Sequence, residues 1–221
     1  AYYLCLSTTT PREARAVYEG ENDCVVALDP GIRTFMTGYS PSGVLIKTSD
    51  AVETFLKTQF TRVDGLASSM AGSKGRRLKR MRQRKLKVFK KIKDVVNDMH
   101  INVANTIANS YDTILLPEFG TSKMLSEAKL HSSTKRMMGA LSFYRFKERL
   151  KRECQKAGTR LVICTEEFTS KTCTSCGRIN EKLGGNKTFN CEGCNLHIER
   201  DVNGARNILL KDIGDGLFEP K

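Results

Sequence analysis

Three acids stand where apolar segments end. Cys24-Val-Val-Ala-Leu runs into Asp29, Thr113-Ile-Leu-Leu-Pro runs into Glu118, and Asp201 opens the segment Arg200-Asp-Val-Asn-Gly-Ala-Arg-Asn-Ile. One acid at a strand end is ordinarily a turn former. Two at strand ends and one at a helix start converge if the strands pair and the helix packs against their ends. Grouped carboxylates are hard oxygen ligands that suit Mg²⁺, with water and phosphate oxygens completing the shell. Two such ions about 3.5–4 Å apart can orient and deprotonate a water and stabilise the leaving oxygen of a phosphodiester. Asp29, Glu118 and Asp201 are therefore the candidate catalytic acids and ligands of two Mg²⁺ ions.

The second chemical group is sulfur. Cys173-Thr-Ser-Cys176 and Cys191-Glu-Gly-Cys194 are separated by fourteen residues. Each pair can form a tight turn that points both sulfurs at one ion, and four thiolates suit tetrahedral Zn²⁺. A closed four-sulfur shell leaves no position for water, so one structural zinc is expected and the chemistry must lie elsewhere. His197 would be a fifth donor to a complete shell and is read as a packing or surface residue. Cys5, Cys24, Cys154 and Cys164 show no pairing pattern and read as buried free thiols, which favours a reducing compartment. His100 and His131 have no nucleophile partner at a recognisable spacing, and Glu127 reads as a solvated acid in a polar loop.

Charge points to the partner. The chain carries a net +13, and twelve cations (Lys74, Arg76, Arg77, Lys79, Arg80, Arg82, Arg84, Lys85, Lys87, Lys90, Lys91 and Lys93) fall in one stretch without an acid. A solvated helix face seldom leaves so many like charges uncompensated. Neutralising phosphates releases counterions, so this stretch is the candidate nucleic-acid contact, with the cations from Lys74 to Lys87 as its named contact residues. The same run resembles a nuclear localisation signal. Arg200 and Arg206 flank Asp201 and could meet a scissile phosphate.

The elements that must position these groups follow from pattern. Residues 2–7 read as a strand and 8–22 as a linker, with a boundary near Glu21. Cys24 to Asp29 reads as a buried strand turned by Pro30 and Gly31. Phe35 to Tyr39, the turn Ser40-Pro-Ser-Gly43, and Val44 to Lys47 give a hairpin. The spacing of Leu78, Met81, Val88, Ile92, Val95, Val96, Met99, Val103 and Ile107 predicts one long helix over 77–109, broken at most once, whose C-terminal half packs on a sheet while its N-terminal half projects charge. A buried strand over 113–118 follows. A helix over 135–157 carries Leu141, Tyr144, Leu150 and Cys154 on its apolar side and stops at Gly158. A strand over 160–165 comes next. After the cysteines, a last helix buries Val202, Ala205, Ile208 and Leu209. The chain opens on Ala1 without a signal-peptide pattern, so a fragment of a longer protein is expected. No apolar run approaches the roughly 18 residues of a membrane span, so a soluble protein without a membrane partner is expected.

Together these stretches resemble the nuclease half of the TnpB/Fanzor family, RNA-guided DNA endonucleases encoded by transposons and related to type V CRISPR effectors. The resemblance rests on Asp29-Pro-Gly-Ile-Arg, Leu116-Pro-Glu118, Thr169-Ser-Lys-Thr-Cys-Thr-Ser-Cys176-Gly, Cys191-Glu-Gly-Cys194 and Arg200-Asp-Val-Asn-Gly-Ala-Arg-Asn-Ile. It implies an α/β fold: an RNase H-like (RuvC) mixed sheet flanked by helices and interrupted by a zinc ribbon. The implied layout is the end of an upstream wedge-type domain and linker over 1–20, the first part of the nuclease domain over 21–168, the ribbon over 169–196, and the final helix and tail over 197–221. It further implies guide RNA and target DNA as partners, with Asp29, Glu118 and Asp201 holding Mg²⁺ and the four cysteines holding Zn²⁺. One chain with one RNA is the working expectation. Thr134-Lys-Arg-Met-Met-Gly-Ala-Leu-Ser-Phe-Tyr-Arg-Phe is similar to the Fanzor branch, which would imply a nuclear location; otherwise the location would be a prokaryotic cytoplasm. The alternatives are a catalytically silent guide-RNA and DNA-binding repressor or transposition accessory factor, and a resolvase of branched DNA.

Overall fold

The computed structural model describes residues 24–118, 120, 130–164, 169–181, 183, 184 and 186–214. The strand expected over 2–7, the linker after it, Cys5, Glu127 and the tail from residue 215 lie outside the described residues. The first hairpin unit comprises β1 (Val25–Pro30), β2 (Met36–Tyr39) and β3 (Leu45–Lys47). Two helices follow, α1 (Ala51–Ala71) and α2 (Gly75–Ser110), and lead into β4 (Thr113–Pro117). After α3 (Ser132–Leu141), α4 (Phe143–Ala157) and β5 (Arg160–Cys164) come the small ribbon strands β6 (Thr188–Asn190) and β7 (His197–Glu199), and then α5 (Arg200–Gly214).

The main sheet runs β3-β2-β1-β4-β5, antiparallel through the hairpins and parallel from β1 to β4 to β5. A parallel centre must be covered on both faces, which explains the continuous apolar runs of β1 and β4. Their alternation divides the core. Val26, Leu28, Ile114 and Leu116 join α2 and α4 on one face, while Val25, Ala27 and Leu115 meet Ile208 and Leu209 of α5 on the other. The ribbon has its own small core around Leu183 and Phe189.

The hairpin forms as its sequence dictates. Gly43 takes φ +84, and the Ser40 and Val44 backbones close the turn at 3.0 Å. The long basic helix is a single unbroken 36-residue element. Its apolar stripe divides as expected: Ile92, Val96, Met99, Ala104 and Ile107 are buried, while Leu78, Met81 and Val88 are only half-buried.

Three features differ from the sequence reading. Helix α1 was not expected, although Val52, Phe55, Leu56, Gln59, Phe60 and Val63 repeat at helical spacing; it packs along α2, and Leu56, Gln59 and Val63 are buried. The helix expected over 135–157 is two helices, because Ser142 adopts a left-handed φ of 49 and resets the phase. Phe143, Phe146, Leu150 and Cys154 consequently face the core, and Tyr144 is 67% exposed rather than apolar-facing. Cys24 is exposed at the entry to β1, whereas Cys154 and Cys164 are buried as expected. Burial pushes the Cys154 thiol up to about 11, so it stays protonated and unreactive.

Candidate active site and metal centre

The turn that follows Asp29 is built for close approach. Gly31 donates to the Phe35 carbonyl at 3.2 Å, and a Cβ on Gly31 would lie 2.6 Å from the Thr34 carbonyl oxygen. Only glycine fits that turn. Its far end is anchored by Phe35, whose ring stacks on His100 and Phe143 at 5.2 and 5.3 Å and meets Phe146 edge-on at 5.0 Å. His100 is a satisfied core residue: its Nε2 lies 2.9 Å from the Leu141 carbonyl, and burial pushes its pKa down to about 4, so it is a neutral donor at physiological pH.

Strand alternation determines which acids meet. Asp29 follows Val25 and Ala27 in phase and turns to the α5 face. There it fits against Gly204, where a Cβ would lie 2.7 Å from Asp29 Oδ2 and 3.2 Å from its Cγ. Asp201, one turn earlier on α5, brings its Oδ2 within 3.9 Å of the Cβ position of Gly31. Asp29 and Asp201 therefore border the same turn. Glu118 is adjacent at the carboxyl edge of the parallel strands, with its amide donating to the Cys164 carbonyl at 2.9 Å. In phase with Ile114 and Leu116, it leans to the opposite face, where Lys147 of α4 comes within 3.7 Å. Among the described residues, the four cysteines form the one group of three or more potential ligands whose atoms all lie within 4.8 Å. The three carboxylates share a sheet edge without forming so tight a cluster.

Asp201 is partly withdrawn from water. Desolvation pushes its carboxyl above the usual carboxylate range and Glu199 adds to the rise, while the nearby cations Arg200, Arg33 and Lys47 oppose it. A half-buried carboxylate at the edge of a second carboxylate's site is stabilised by a cation, and the oxygen donors fit Mg²⁺.

The sulfur shell fits its ion more tightly. Cys173 and Cys194 Sγ are 3.6 Å apart and Cys176 and Cys191 Sγ 3.5 Å apart. Four ligands around tetrahedral Zn²⁺ stand about 3.8 Å from one another. The backbone N–H groups of Cys194 and Gly193 pull the Cys191 thiol below its ordinary value, while the neighbouring sulfurs push Cys176 up, so within this shell Cys191 gives up its proton first. His197 lies apart from this shell and pairs through Nδ1 with Asn190 Oδ1 at 2.8 Å.

The basic candidates fall on two surfaces. Of the twelve cations from Lys74 to Lys93, all but Lys85 are exposed. Because α2 ends directly before β4 and His100 already lies level with the turn after Asp29, its first half projects beyond the carboxyl edge of the sheet. At about 1.5 Å per residue, that arm is some 25–30 Å long. Arg200 donates to the Gly184 carbonyl at 3.0 Å, and the Arg206 guanidinium lies 5.4 Å from the Tyr39 ring centre. A cleft of about 550 Å³ between α2, α3 and α4, unmarked in the sequence, is lined by Lys93, Arg145, Arg149, Arg152, Phe89 and Tyr144, among others. Sequence reasoning also missed Gly204, although a glycine inside a helix signals close approach of another group. It missed Asn203 and Asn207 as well, amides one turn apart on a helix face that is otherwise buried.

A mixed sheet of this order, acids at its carboxyl edge and a cysteine-knuckle insert before the last helix define an RNase H-like (RuvC) domain with a ribbon capable of binding zinc. The family model described as Cas12f1-like, TNB domain matches residues 143–208. TnpB-like protein L79 of Acanthamoeba polyphaga mimivirus is 32% identical over 214 residues, 94% of this chain and 40% of that protein. The CRISPR-associated endodeoxyribonuclease Cas12f1 of Sulfoacidibacillus thermotolerans is 23% identical over 62% of this chain and 33% of its own length. A cryo-EM structure of a Cas12f1–sgRNA–target DNA complex shares the fold with a TM-score of 0.60 at 19% identity, covering 84% of this chain and 49% of that one. The chain belongs to the TnpB family. These comparisons do not single out its Fanzor branch, and the chain spans 40% of the length of L79. Among the described residues no helix is long and apolar enough to cross a membrane.

Proposed function

We propose that this chain is the nuclease half of an RNA-guided, Mg²⁺-dependent DNA endonuclease that hydrolyses phosphodiester bonds, with Asp29, Glu118 and Asp201 as its metal-binding acids. The observation that carries this reading is the fit of the Asp29 carboxylate against Gly204, one helical turn from Asp201, at the sheet edge where Glu118 also lies. Two Mg²⁺ ions held by these acids would supply the activated water and the stabilisation of the leaving oxygen. The chain's own residues do the remaining work. Phe35 and Gly31 fix the turn that carries Asp29. Burial disfavours a bare Asp201 carboxylate, a cost that a bound cation would offset. The arm of α2 and the cleft beside α4 line the approach with positive charge. The activities of the named relatives, carried over, make guide RNA and target DNA the partners, with base pairing reading the target and the protein holding the backbone. In this reading residues 21–168 and 197–221 form the nuclease domain, and residues 169–196 form a zinc ribbon that folds around one structural ion.

The test uses the full-length protein with its copurifying RNA. Asp29→Ala, Glu118→Ala and Asp201→Ala should each abolish Mg²⁺-dependent cleavage of a matched target while target binding persists. Undiminished cutting by all three variants would refute the mechanism. A wild-type complex that binds its target and never nicks it would establish the binding-only alternative instead.

A further inference from the structure

The zinc shell and Asp201 are joined by more than chain connectivity. Helix α5 grips the first cysteine knuckle through two buried amides. Asn203, fully buried, accepts a hydrogen bond from the Thr174 amide at 3.1 Å and donates to the Thr172 carbonyl at 2.7 Å. Asn207, 8% exposed, donates to the Thr172 and Thr169 carbonyls at 2.6 and 2.8 Å. Thr172 and Thr174 are the residues on either side of Cys173, so one carboxamide holds the backbone on both sides of a metal ligand. Cys173 in turn closes the knuckle, donating to Arg178 and accepting from Gly177 at 2.8 and 2.9 Å.

The geometry demands an amide. The Asn203 site needs a donor and an acceptor side by side: aspartate would lack the donor, and an apolar residue would strand a buried amide and a carbonyl. Asn203 lies two residues after Asp201 and next to Gly204, the residue that leaves room for Asp29. The helical turn that sets the two acids is thus the turn that grips the knuckle.

We propose that Asn203 and Asn207 are positioning residues that couple the zinc-held shape of the first knuckle to the placement of Asp201 and Gly204 beneath Asp29. Coupling of this kind is reciprocal. If zinc favours the placed turn, the intact amides favour zinc to the same degree. Partners outside the ligand shell typically change metal affinity or activity by about 10–100-fold. The activity side rests on the nuclease reading; the zinc side does not.

The experiment is a cycle on the full-length protein purified with its zinc and RNA. Zinc affinity is read by competition with a chromophoric chelator for wild type, Asn203→Ala, Asn207→Ala and Asn203→Asp, with circular dichroism verifying the fold. Cleavage is then measured in zinc-loaded and zinc-depleted protein. Asn203→Ala should weaken zinc binding about tenfold; Asn203→Asp should lose at least as much, because it sets a buried carboxylate oxygen against the Thr172 carbonyl, and Asn207→Ala should lose less, because Asn203 keeps its own grip. Asn203→Ala should lower cleavage of the loaded protein and have no further effect once zinc is removed. Unchanged zinc affinity in all three variants overturns the coupling. An equal loss of cleavage with and without zinc also overturns it, because a local helix defect would behave that way. A wild-type protein that never cleaves refutes the nuclease reading alone, and the affinity measurements still decide the tether.

Discussion

Gly204→Ala separates stability from function at a single carbon. In a helix interior alanine is ordinarily about 1 kcal/mol better than glycine. On α5 the added Cβ would meet Asp29 Oδ2 at 2.7 Å and Cγ at 3.2 Å, with Oδ1 at 3.8 Å. Ordinary van der Waals contact for a Cβ begins at 3.4 Å, so the carboxylate must retreat by about 0.7 Å or rotate away. Asp29 is a short side chain on a strand paired to β2 at Thr37 and has little else to yield. A displacement near 1 Å in a catalytic constellation costs on the order of 100-fold in rate. Gly204→Ala should therefore melt within about 1 kcal/mol of wild type and cleave about 10–100-fold more slowly. Gly65→Ala is the control: it lies exposed in α1 with nothing within 4 Å of its Cβ position. It should gain the helix-propensity stabilisation and leave cleavage unchanged. Single-turnover cleavage and thermal unfolding of both variants provide the measurement. A Gly204→Ala protein that cuts at the wild-type rate would refute the reasoning, because Asp29 would then tolerate a displacement that metal ligation should not.

Other outcomes test the remaining parts. Metal analysis of unchelated protein should find one zinc per chain, and Cys173→Ser should lower that occupancy and reduce cleavage; full activity after verified zinc loss would disconnect the ribbon from the site. Reversing Arg80 and Arg84 to Glu should weaken nucleic-acid binding and flatten its salt dependence by about one unit of log–log slope for each phosphate no longer neutralised; an unchanged slope would make the α2 arm a bystander. His100 sets a pH dependence whose sign follows from linkage. Its folded pKa, about 4, lies below the ordinary 6.5, so the unfolded chain binds the extra proton first and stability falls as pH drops from about 6.5 towards 4. The loss is on the order of 3 kcal/mol at most, and His100→Gln, which keeps a donor near Leu141, should remove most of it in acid titrations of thermal stability.

The sequence by itself pointed to the candidate ligands and to the order of the elements, apart from α1 and the break at Ser142. The spacing of Cys173, Cys176, Cys191 and Cys194 is a local matter of tight turns, so a metal knuckle can be read from a short stretch. Apolar runs ending at Asp29 and Glu118 and the stripe from Ile92 to Ile107 follow from the periods of strand and helix. Tertiary structure decided what those periods cannot express. A pattern does not say that Ser142 turns left-handed and rotates Tyr144 out to solvent, because that depends on Phe143 and Phe146 packing against Phe35 from a distant turn. It does not say that Asp29 lands against Gly204, 175 positions later, or that Glu118 leans instead towards Lys147. Alternation sends consecutive residues to opposite sheet faces, but only packing says what waits on each. The same holds for Asn203 and Asn207: their partners are backbone groups, which every residue possesses and no sequence can mark.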